Sequence, residues 1–235
     1  MMNVRLKFTK GNEVKYISHL DLMRTFQRAI RRTDIPVAYS AGFNPHQEIS
    51  FGAPLSLGVV SNAEYIDIKL AEDMDIKELQ RRLNGSMPAG ISITGGAVLP
   101  EHAKSAMAIV THARYNIRLI VEGIDKQRLD KAIEDFLKQE QINVMKEQPK
   151  KEFKLKEIDI KPMIITMDNI DSKGDEYFLE CLLQSGSKAN LKPELLVVAF
   201  KDYTGYNIKG VRIVREELYA EKDGKLLDLL EYEKR

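Results

Sequence analysis

Residues 15–65 read KYISHLDLMRTFQRAIRRTDIPVAYSAGFNPHQEISFGAPLSLGVVSNAEY. This stretch contains the patterns on which the predicted fold and the predicted function depend. A helix is expected from Ser18 to about Arg32, because Ser18 is a good N-cap and Asp21 places a carboxylate near the helix N-terminus. Pro36 ends this helix, since a proline disfavours the α region for the residue before it.

On a helical wheel, this predicted helix has an apolar side and a basic side. The apolar residues are Leu22, Met23, Phe26, Ala29 and Ile30. The basic residues on the opposite side are Arg24, Arg28, Arg31 and Arg32. Because the apolar side must face a sheet, the arginines are expected to point outward.

The positive charge is local to this part of the chain. Residues 2–35 contain eight basic and three acidic residues, whereas the whole chain has a net charge of +1. Guanidinium groups bind phosphates and stack on bases, so one interpretation is an RNA-binding or other phosphate-binding face. The alternative is an ordinary solvated helix face, and the sequence favours neither.

The segment Tyr39–His46 predicts an exposed, shaped loop. Gly42 permits a positive φ, and Asn44 before Pro45 favours a turn. Aromatic groups beside cations are what single-stranded nucleic acid stacks on, so contacts to RNA are predicted for four residues of the loop. These four are Tyr39, Phe43, Asn44 and His46. The alternative is a loop whose Phe43 fills part of the core.

His19 and His46 are the candidate catalytic residues, because imidazole titrates near neutrality. If they converge, one as base and one as acid, they could cleave RNA without a metal; with Asp21 they could instead hold a metal ion. No established catalytic or phosphate-binding motif supports either chemistry. The alternative is that His19 is a capping residue and His46 a structural one, and no metal site is predicted.

The order of predicted elements indicates an α+β protein. Residues 1–103 read β-α-β-β-α-β, with a short strand expected at 35–39, and residues 111–235 repeat this order. We therefore predict two tandem ferredoxin-like domains, 1–103 and 111–235, with mainly antiparallel sheets.

The second predicted domain contains one candidate anion site. Lys188 and Lys192 lie where a strand ends and a helix begins, with Asn190 as the expected cap, although a plain strand-to-helix turn explains the pattern as well. Lysines alternate with carboxylates across residues 146–161, which indicates a solvated, mobile connection.

Composition restricts the possible function classes. With 235 residues, of which 43% are hydrophobic, the chain can form one large core or two small ones. Its single cysteine, Cys181, excludes an intrachain disulfide, an iron–sulfur cluster and a cysteine-rich zinc site, and is expected in the core. No apolar run is long enough to span a bilayer, and the first ten residues alternate like a strand. We expect a cytoplasmic protein with no cofactor and no membrane partner.

Several strings in the first domain together resemble the radical-SAM-linked family of unknown function. They are Tyr16–Arg24, Arg28–Arg32, Tyr39–His46, Pro54–Gly58 and Glu64–Tyr65. That domain occurs alone or fused behind a radical SAM enzyme, so the resemblance implies a helper of such an enzyme acting on RNA or protein. This chain has no Cys-x3-Cys-x2-Cys of its own, and it has His46-Gln47 where the resemblance leads us to expect His-Pro.

The predicted function is therefore a non-catalytic RNA-binding or substrate-presenting accessory protein. Its expected partners are transfer or ribosomal RNA and a radical SAM enzyme. A looser, fold-level likeness to CRISPR repeat-cleaving endoribonucleases supports a first alternative, a metal-independent endoribonuclease using His19 and His46. The second alternative is a protein–protein adaptor anchored by Tyr39 and Phe43.

Overall fold

The structure is a computed structural model that describes residues 1–147 and 155–233. The strands are β1 (Met2–Lys10), β2 (Ile49–Phe51), β3 (Val60–Leu70), β4 (Ile91–Leu99), β5 (Val110–Val121), β6 (Asn143–Glu147), β7 (Leu155–Asp159), β8 (Ile164–Lys173), β9 (Glu176–Gln184), β10 (Ile208–Lys222) and β11 (Lys225–Asp228). The α-helices are α1 (His19–Arg32), α2 (Ile76–Asn84), α3 (Ala106–Ile109), α4 (Lys126–Leu137) and α5 (Pro193–Thr204). The protein is thus a mixed α+β fold whose sheets are mostly antiparallel.

The chain folds as two compact units. Unit 1 comprises Met1–His112 and Arg215–Arg235, and unit 2 comprises Ala113–Val214. The C-terminal segment therefore belongs with the N-terminal residues, whereas the predicted division assigned it to a second domain, 111–235. Buried polar contacts account for this placement, because Arg5 Nη1 donates to the Leu229 carbonyl at 3.1 Å and Tyr65 Oη donates to Glu217 at 2.6 Å.

Strand β1 of unit 1 has a neighbouring strand on each side. The order is β4-β1-β3, with β2 also paired to β3, and β1 is antiparallel to both of its neighbours. Directly opposed residues share a face, so Leu6 stands beside Ile66 on the side that the helices cover. The alternation predicted for this strand is present, but its polar side is covered as well, since Arg5 is fully buried.

Helix α1 begins as the sequence predicts. Ser18 is the N-cap, and its hydroxyl accepts a hydrogen bond from the Asp21 backbone N–H at 3.1 Å. The predicted apolar side is confirmed: Leu22, Phe26, Ala29 and Ile30 are buried and Met23 packs against the same core. Phe26 meets Phe8 of β1 edge to face, with ring centroids 4.8 Å apart. Burying one such side chain contributes about 1.5–3 kcal/mol.

The strand predicted at residues 35–39 is wrong. The structure has two isolated bridges there instead, Val37 with Leu70 and Tyr39 with Gln47. Pro36 donates no backbone hydrogen bond, which prevents a continuous ladder through this segment.

Unit 2 contains β6, β7, β8 and β9 together with the parts of β5 and β10 that lie within residues 113–214. The strand order is β10-β5-β9-β8, and β6 pairs with β7. Cys181 of β9 is opposite Met167 of β8 and is buried, as predicted. Burial raises the pKa of its thiol, which keeps it in the neutral form. Of the solvated connection predicted at 146–161, residues 148–154 lie outside the described residues, and Leu155–Asp159 form β7.

Helix α5 starts later than predicted. Its N-cap is Lys192, with Pro193 in the first turn, rather than Asn190. The Asn190 Oδ1 instead accepts a hydrogen bond from Ser185 at 3.4 Å. Proline is favoured at the first helical position because the backbone N–H that it lacks would have no intrahelical partner there in any case.

Candidate functional site

The four arginines of α1 are all exposed, as the helical wheel predicts. Arg24 forms an ion pair with Asp21, at 3.4 Å, in which both side chains are more than half exposed. Within residues 1–147 and 155–233, the other three have no hydrogen-bonding or ion-pairing side-chain partner: Arg28, Arg31 and Arg32. Three guanidinium groups on the outer side of α1 are therefore available to an anion.

The loop that follows α1 exposes its aromatic residues. Phe43 is fully exposed and Tyr39 is 52% exposed, so the interpretation in which Phe43 fills the core is wrong. Gly42 has a φ of 118°, a conformation that side chains other than glycine rarely adopt. The loop is closed by Ser40 and His46, whose backbone N–H and carbonyl groups hydrogen-bond at 2.9 Å.

A buried glutamine links this loop to α1. Gln47 is 6% exposed, and its Nε2 donates to the backbone carbonyl of Gln27 at 3.4 Å. Gln27 immediately precedes Arg28 in the helix. A proline at position 47 would have no side-chain donor to make this contact. The isolated bridge from Gln47 to Tyr39 extends the link to the start of the loop.

His46 is exposed, and its ring orientation is fixed within the loop. Its Nδ1 lies 2.8 Å from the Ser40 hydroxyl, which also accepts a hydrogen bond from the His46 backbone N–H at 3.1 Å. The other ring nitrogen, Nε2, remains for a ligand. His46 also lines a cavity of about 370 Å³, here called the loop cavity. Its lining residues are Asn3, Val4, His46, Gln47, Glu48, Ile49, Ser50, Asp67, Ile68, Lys69, Leu99, Ala103 and Ser105.

His19 occupies a different place in unit 1. It is the exposed first residue of α1, and its ring packs edge to face against Phe51, with centroids 5.4 Å apart. It lines a separate crevice of about 10 Å³ together with Lys10 and Glu64, and no described residue lines both this crevice and the loop cavity. The structure thus does not bring His19 and His46 to one cavity. In the described part of the chain, no group of three or more histidine, cysteine or acidic residues is arranged to hold a metal ion.

Two buried ion pairs in unit 1 were missed by the sequence analysis. Arg5 donates to both carboxylate oxygens of Asp67, at 2.7 and 3.1 Å, and is fully buried. Arg215 is 1% exposed and donates to both oxygens of Glu64, including Nη2 to Oε2 at 2.6 Å. The partners are 62 and 151 residues apart, so no local pattern reveals them.

Lys10 is a third buried cation and is satisfied differently. Its Nζ donates to the carbonyls of Lys15 and Ile17 at 3.1 and 3.3 Å. Burial lowers the pKa of this lysine, and the Glu64 carboxylate partly opposes that effect. Lys10, like the two buried arginines, lies where it stabilises the structure and is not open to a large ligand.

The predicted anion site in unit 2 gains no further support. Lys188 and Lys192 are both exposed, and Lys192 is the N-cap residue of α5 without a side-chain cap. In the regions that the structure describes, neither ammonium group is held toward the helix N-terminus by a hydrogen bond. Among the same residues, no helix is both long and apolar enough to cross a membrane.

These features define an α+β protein with an exposed basic helix and a neighbouring aromatic loop. The chain belongs to the family described as "Uncharacterized protein conserved in bacteria (DUF2344)", which matches residues 3–193. A comparison with curated proteins finds no match.

Several solved structures are similar to the chain in fold. A chain of the crystal structure of a Cbf5–Nop10–Gar1 complex matches with a TM-score of 0.52 and 7% sequence identity, over 94% of this chain and 50% of that one. This chain therefore spans about half the length of that protein, and at this identity the likeness shows the fold alone.

Two further structures are less similar. A structure of an H/ACA RNP bound to a substrate RNA containing 2′-deoxyuridine matches with a TM-score of 0.45 and 8% identity, over 91% of this chain and 46% of that one. DyPB from Rhodococcus jostii RHA1 matches with a TM-score of 0.23 and 9% identity, over 97% and 95% of the two chains. Neither likeness is strong enough to carry an argument.

Proposed function

We propose that this protein is a non-catalytic RNA-binding or substrate-presenting module that binds through the outer side of α1 and the loop Tyr39–His46. The observation that carries the proposal is the exposure of Arg28, Arg31 and Arg32, which have no carboxylate partner among the described residues, beside a loop with a fully exposed Phe43. The RNA class is transfer or ribosomal RNA. By the resemblance of its motifs, the module acts in the cytoplasm with a radical SAM enzyme.

The chemistry of this surface suits RNA better than a simple anion. Guanidinium groups form paired hydrogen bonds with phosphate oxygens, whereas an exposed aromatic ring stacks on a base. The hydrogen bond from Gln47 to Gln27 links the loop to the helix, so one strand can reach both kinds of group.

The distribution of charge supports the same proposal. With a net charge of +1, the protein has no general attraction to polyanions. Binding therefore depends on a local group of unpaired cations, and the described residues of α1 supply one.

We also infer that each unit has the ferredoxin-like topology. Unit 1 has the chain order β1-α1-β2-β3-α2-β4 and the sheet order β4-β1-β3 with β2 on β3. Unit 2 has the sheet order β10-β5-β9-β8, which is the same arrangement if the β6–β7 pair is an insertion. Two antiparallel crossover units of this kind would place two helices on one face of each sheet.

The test is RNA binding measured as a function of salt for wild type and for Arg28→Ala combined with Arg31→Ala. Each lost phosphate contact should reduce the slope of log K against log salt by about 0.7–0.9. The matched control is Lys131→Ala with Lys138→Ala, which removes the same charge from α4 and its C-cap, where both lysines pair with carboxylates. This control should bind RNA as wild type does.

Equal salt slopes in wild type and in the double arginine variant would overturn the proposal. A partner protein that stays bound to Tyr39 and Phe43 after ribonuclease treatment would instead support the adaptor. Cleavage of RNA that is lost in both His19→Ala and His46→Ala would support the endoribonuclease.

A further inference from the structure

The loop cavity has the size and position of a small-molecule site. Its volume of about 370 Å³ falls in the range of about 300–1,000 Å³ that is usual for such sites. It is lined by residues of β1, β2, β3 and β4, by the end of the loop at His46, and by Ala103 and Ser105. All of these belong to unit 1, so the cavity is a property of one folded unit.

The charges around the loop cavity cancel. Glu48 and Lys69 form an ion pair with a distance of 3.0 Å. The Asp67 carboxylate is neutralised by buried Arg5 and also accepts a hydrogen bond from the Ala106 backbone N–H at 2.7 Å. The lining therefore gives no strong preference for an anion or a cation, which favours a neutral ligand.

The lining nevertheless has polar groups that can recognise such a ligand. Among the described residues, the hydroxyls of Ser50 and Ser105 make no side-chain hydrogen bond. The His46 Nε2 is available to a ligand, because only Nδ1 of that ring is bonded to Ser40. Hydroxyls both donate and accept. Leu99 and Ala103 add apolar surface to the same lining. A flat, neutral ring with donors and acceptors on its edge matches this combination.

The loop cavity adjoins the proposed RNA-binding surface. His46 lines it and ends the loop that exposes Phe43, while Gln47 lines it and hydrogen-bonds to α1 beside Arg28. Proteins that read a single base take it out of the stack and hold it in such a pocket by its hydrogen-bonding edge.

We propose that the loop cavity binds a nucleobase. This inference rests on the proposed RNA binding for the identity of the ring. The nucleobase comes either from a free nucleoside or from one nucleotide turned out of an RNA strand whose phosphates contact the arginines of α1. Both sources share the same chemistry in the cavity.

The first arm of the test uses the four ribonucleosides as probes in calorimetric titrations, with ribose as the blank. At least one nucleoside should bind wild type, and Ala103→Phe, which fills the cavity, should weaken that binding by about tenfold or more. Because a large side chain at position 103 can disturb the fold, Ser50→Ala with Ser105→Ala is the second variant, and it too should weaken binding. Arg28→Ala with Arg31→Ala should leave nucleoside affinity unchanged.

The second arm distinguishes the two sources. RNA that carries 2-aminopurine should become more fluorescent when it binds wild type, because the base leaves the stack, and Ala103→Phe should abolish that increase while the salt-dependent affinity remains. If nucleosides bind but this increase is absent, the result supports the proposal that the ligand of the cavity is a free nucleoside.

The proposal is overturned if no nucleoside binds at millimolar concentration and the fluorescence of bound RNA does not change. It is also overturned if the cavity variants bind nucleosides as tightly as wild type. If RNA binding persists in either case, the proposed RNA-binding surface on α1 is retained and only the cavity proposal fails. If nucleosides bind but RNA does not, the cavity proposal is retained and the proposed RNA binding fails.

Discussion

Unit 1 contains two sets of arginines with opposite environments. Arg5 and Arg215 are buried, and each donates to both oxygens of a carboxylate. Arg28 and Arg31 are exposed on α1 and, in the described residues, have no carboxylate partner. The guanidinium groups in the buried pairs stabilise the fold, whereas those exposed on α1 are available to a ligand.

Half of the basic residues in the N-terminal region, residues 2–35, are paired or buried in the fold. Of its eight basic residues, Arg5 pairs with Asp67, Lys7 pairs with Glu217 and Arg24 pairs with Asp21. Lys10 is buried against backbone carbonyls. The local excess in the sequence is therefore partly neutralised in the fold, and the charge left for an anionic ligand is concentrated on three arginines and Lys15.

The largest expected effect comes from breaking a buried pair. Arg215→Ala leaves the buried Glu64 carboxylate without its partner, so the free energy of unfolding should fall by about 3–5 kcal/mol. Chemical denaturation measures this change. Arg31→Ala is the control, and it should change the stability by no more than about 0.5 kcal/mol.

Removing both charges of the buried pair tests whether the loss of stability comes from the unpaired carboxylate. Arg215→Met with Glu64→Leu should restore much of the lost stability, because no uncompensated charge remains in the interior. Equal stability for Arg215→Ala and Arg31→Ala would show that the distinction between the two sets of arginines is wrong.

The next largest effect is expected at Phe43, in the exposed loop that follows α1. Phe43→Ala should leave the stability unchanged, since the side chain is fully exposed, but it should weaken RNA binding by about 1–3 kcal/mol through the loss of one stacked base. Fluorescence anisotropy with labelled RNA measures the change. Phe43→Trp keeps an aromatic face and should bind as wild type does; if it binds as weakly as the alanine variant, stacking is not the interaction.

The smallest expected effect is the contribution of one partly buried histidine, His112, to the pH dependence of stability. Burial lowers the pKa of half-buried His112 below its usual value of 6.5, and the Glu221 carboxylate only partly opposes this. The unfolded chain then binds more protons than the folded one as the pH falls below 6.5, so His112 should make the protein less stable in acid. This loss levels off once the pH is below the folded-state pKa.

His112→Gln should remove that part of the pH dependence. The measurement is the melting temperature of the two proteins from neutral pH down to about pH 5, where the other histidines contribute equally to both and cancel in the difference. Parallel curves would show that the imidazole of His112 is not desolvated in the folded state.

Some local features of the fold could be predicted from the sequence. Ser18 is the cap of α1, as predicted, and accepts a hydrogen bond from the backbone N–H three residues later, whereas Asn190 does not cap α5. Such caps depend on neighbours within one helical turn, so a short stretch of sequence is enough to reveal them. The strand predicted at 35–39 failed because Pro36 interrupts its backbone hydrogen bonding.

The candidate site was predictable only in part. The outward direction of Arg28 and Arg31 follows from helical periodicity, and the exposure of the loop follows from Gly42 and Pro45. The loop cavity was not predictable, because Asn3, Ser50, Asp67 and Ser105 come from four separate segments. The pairing of His19 with His46 was a hypothesis about tertiary distance, on which the spacing of two residues in the chain gives no information.

The sequence alone determined which residues of α1 face the core and which face solvent, since helical geometry fixes both from consecutive residues. The tertiary structure alone decided that Arg5 and Arg215 are buried against Asp67 and Glu64, and that the segment after Val214 joins unit 1. The physical reason is distance along the chain. A cap or a periodic face is made by residues a few positions apart, whereas a buried ion pair or a cavity requires residues that only the folded backbone brings together.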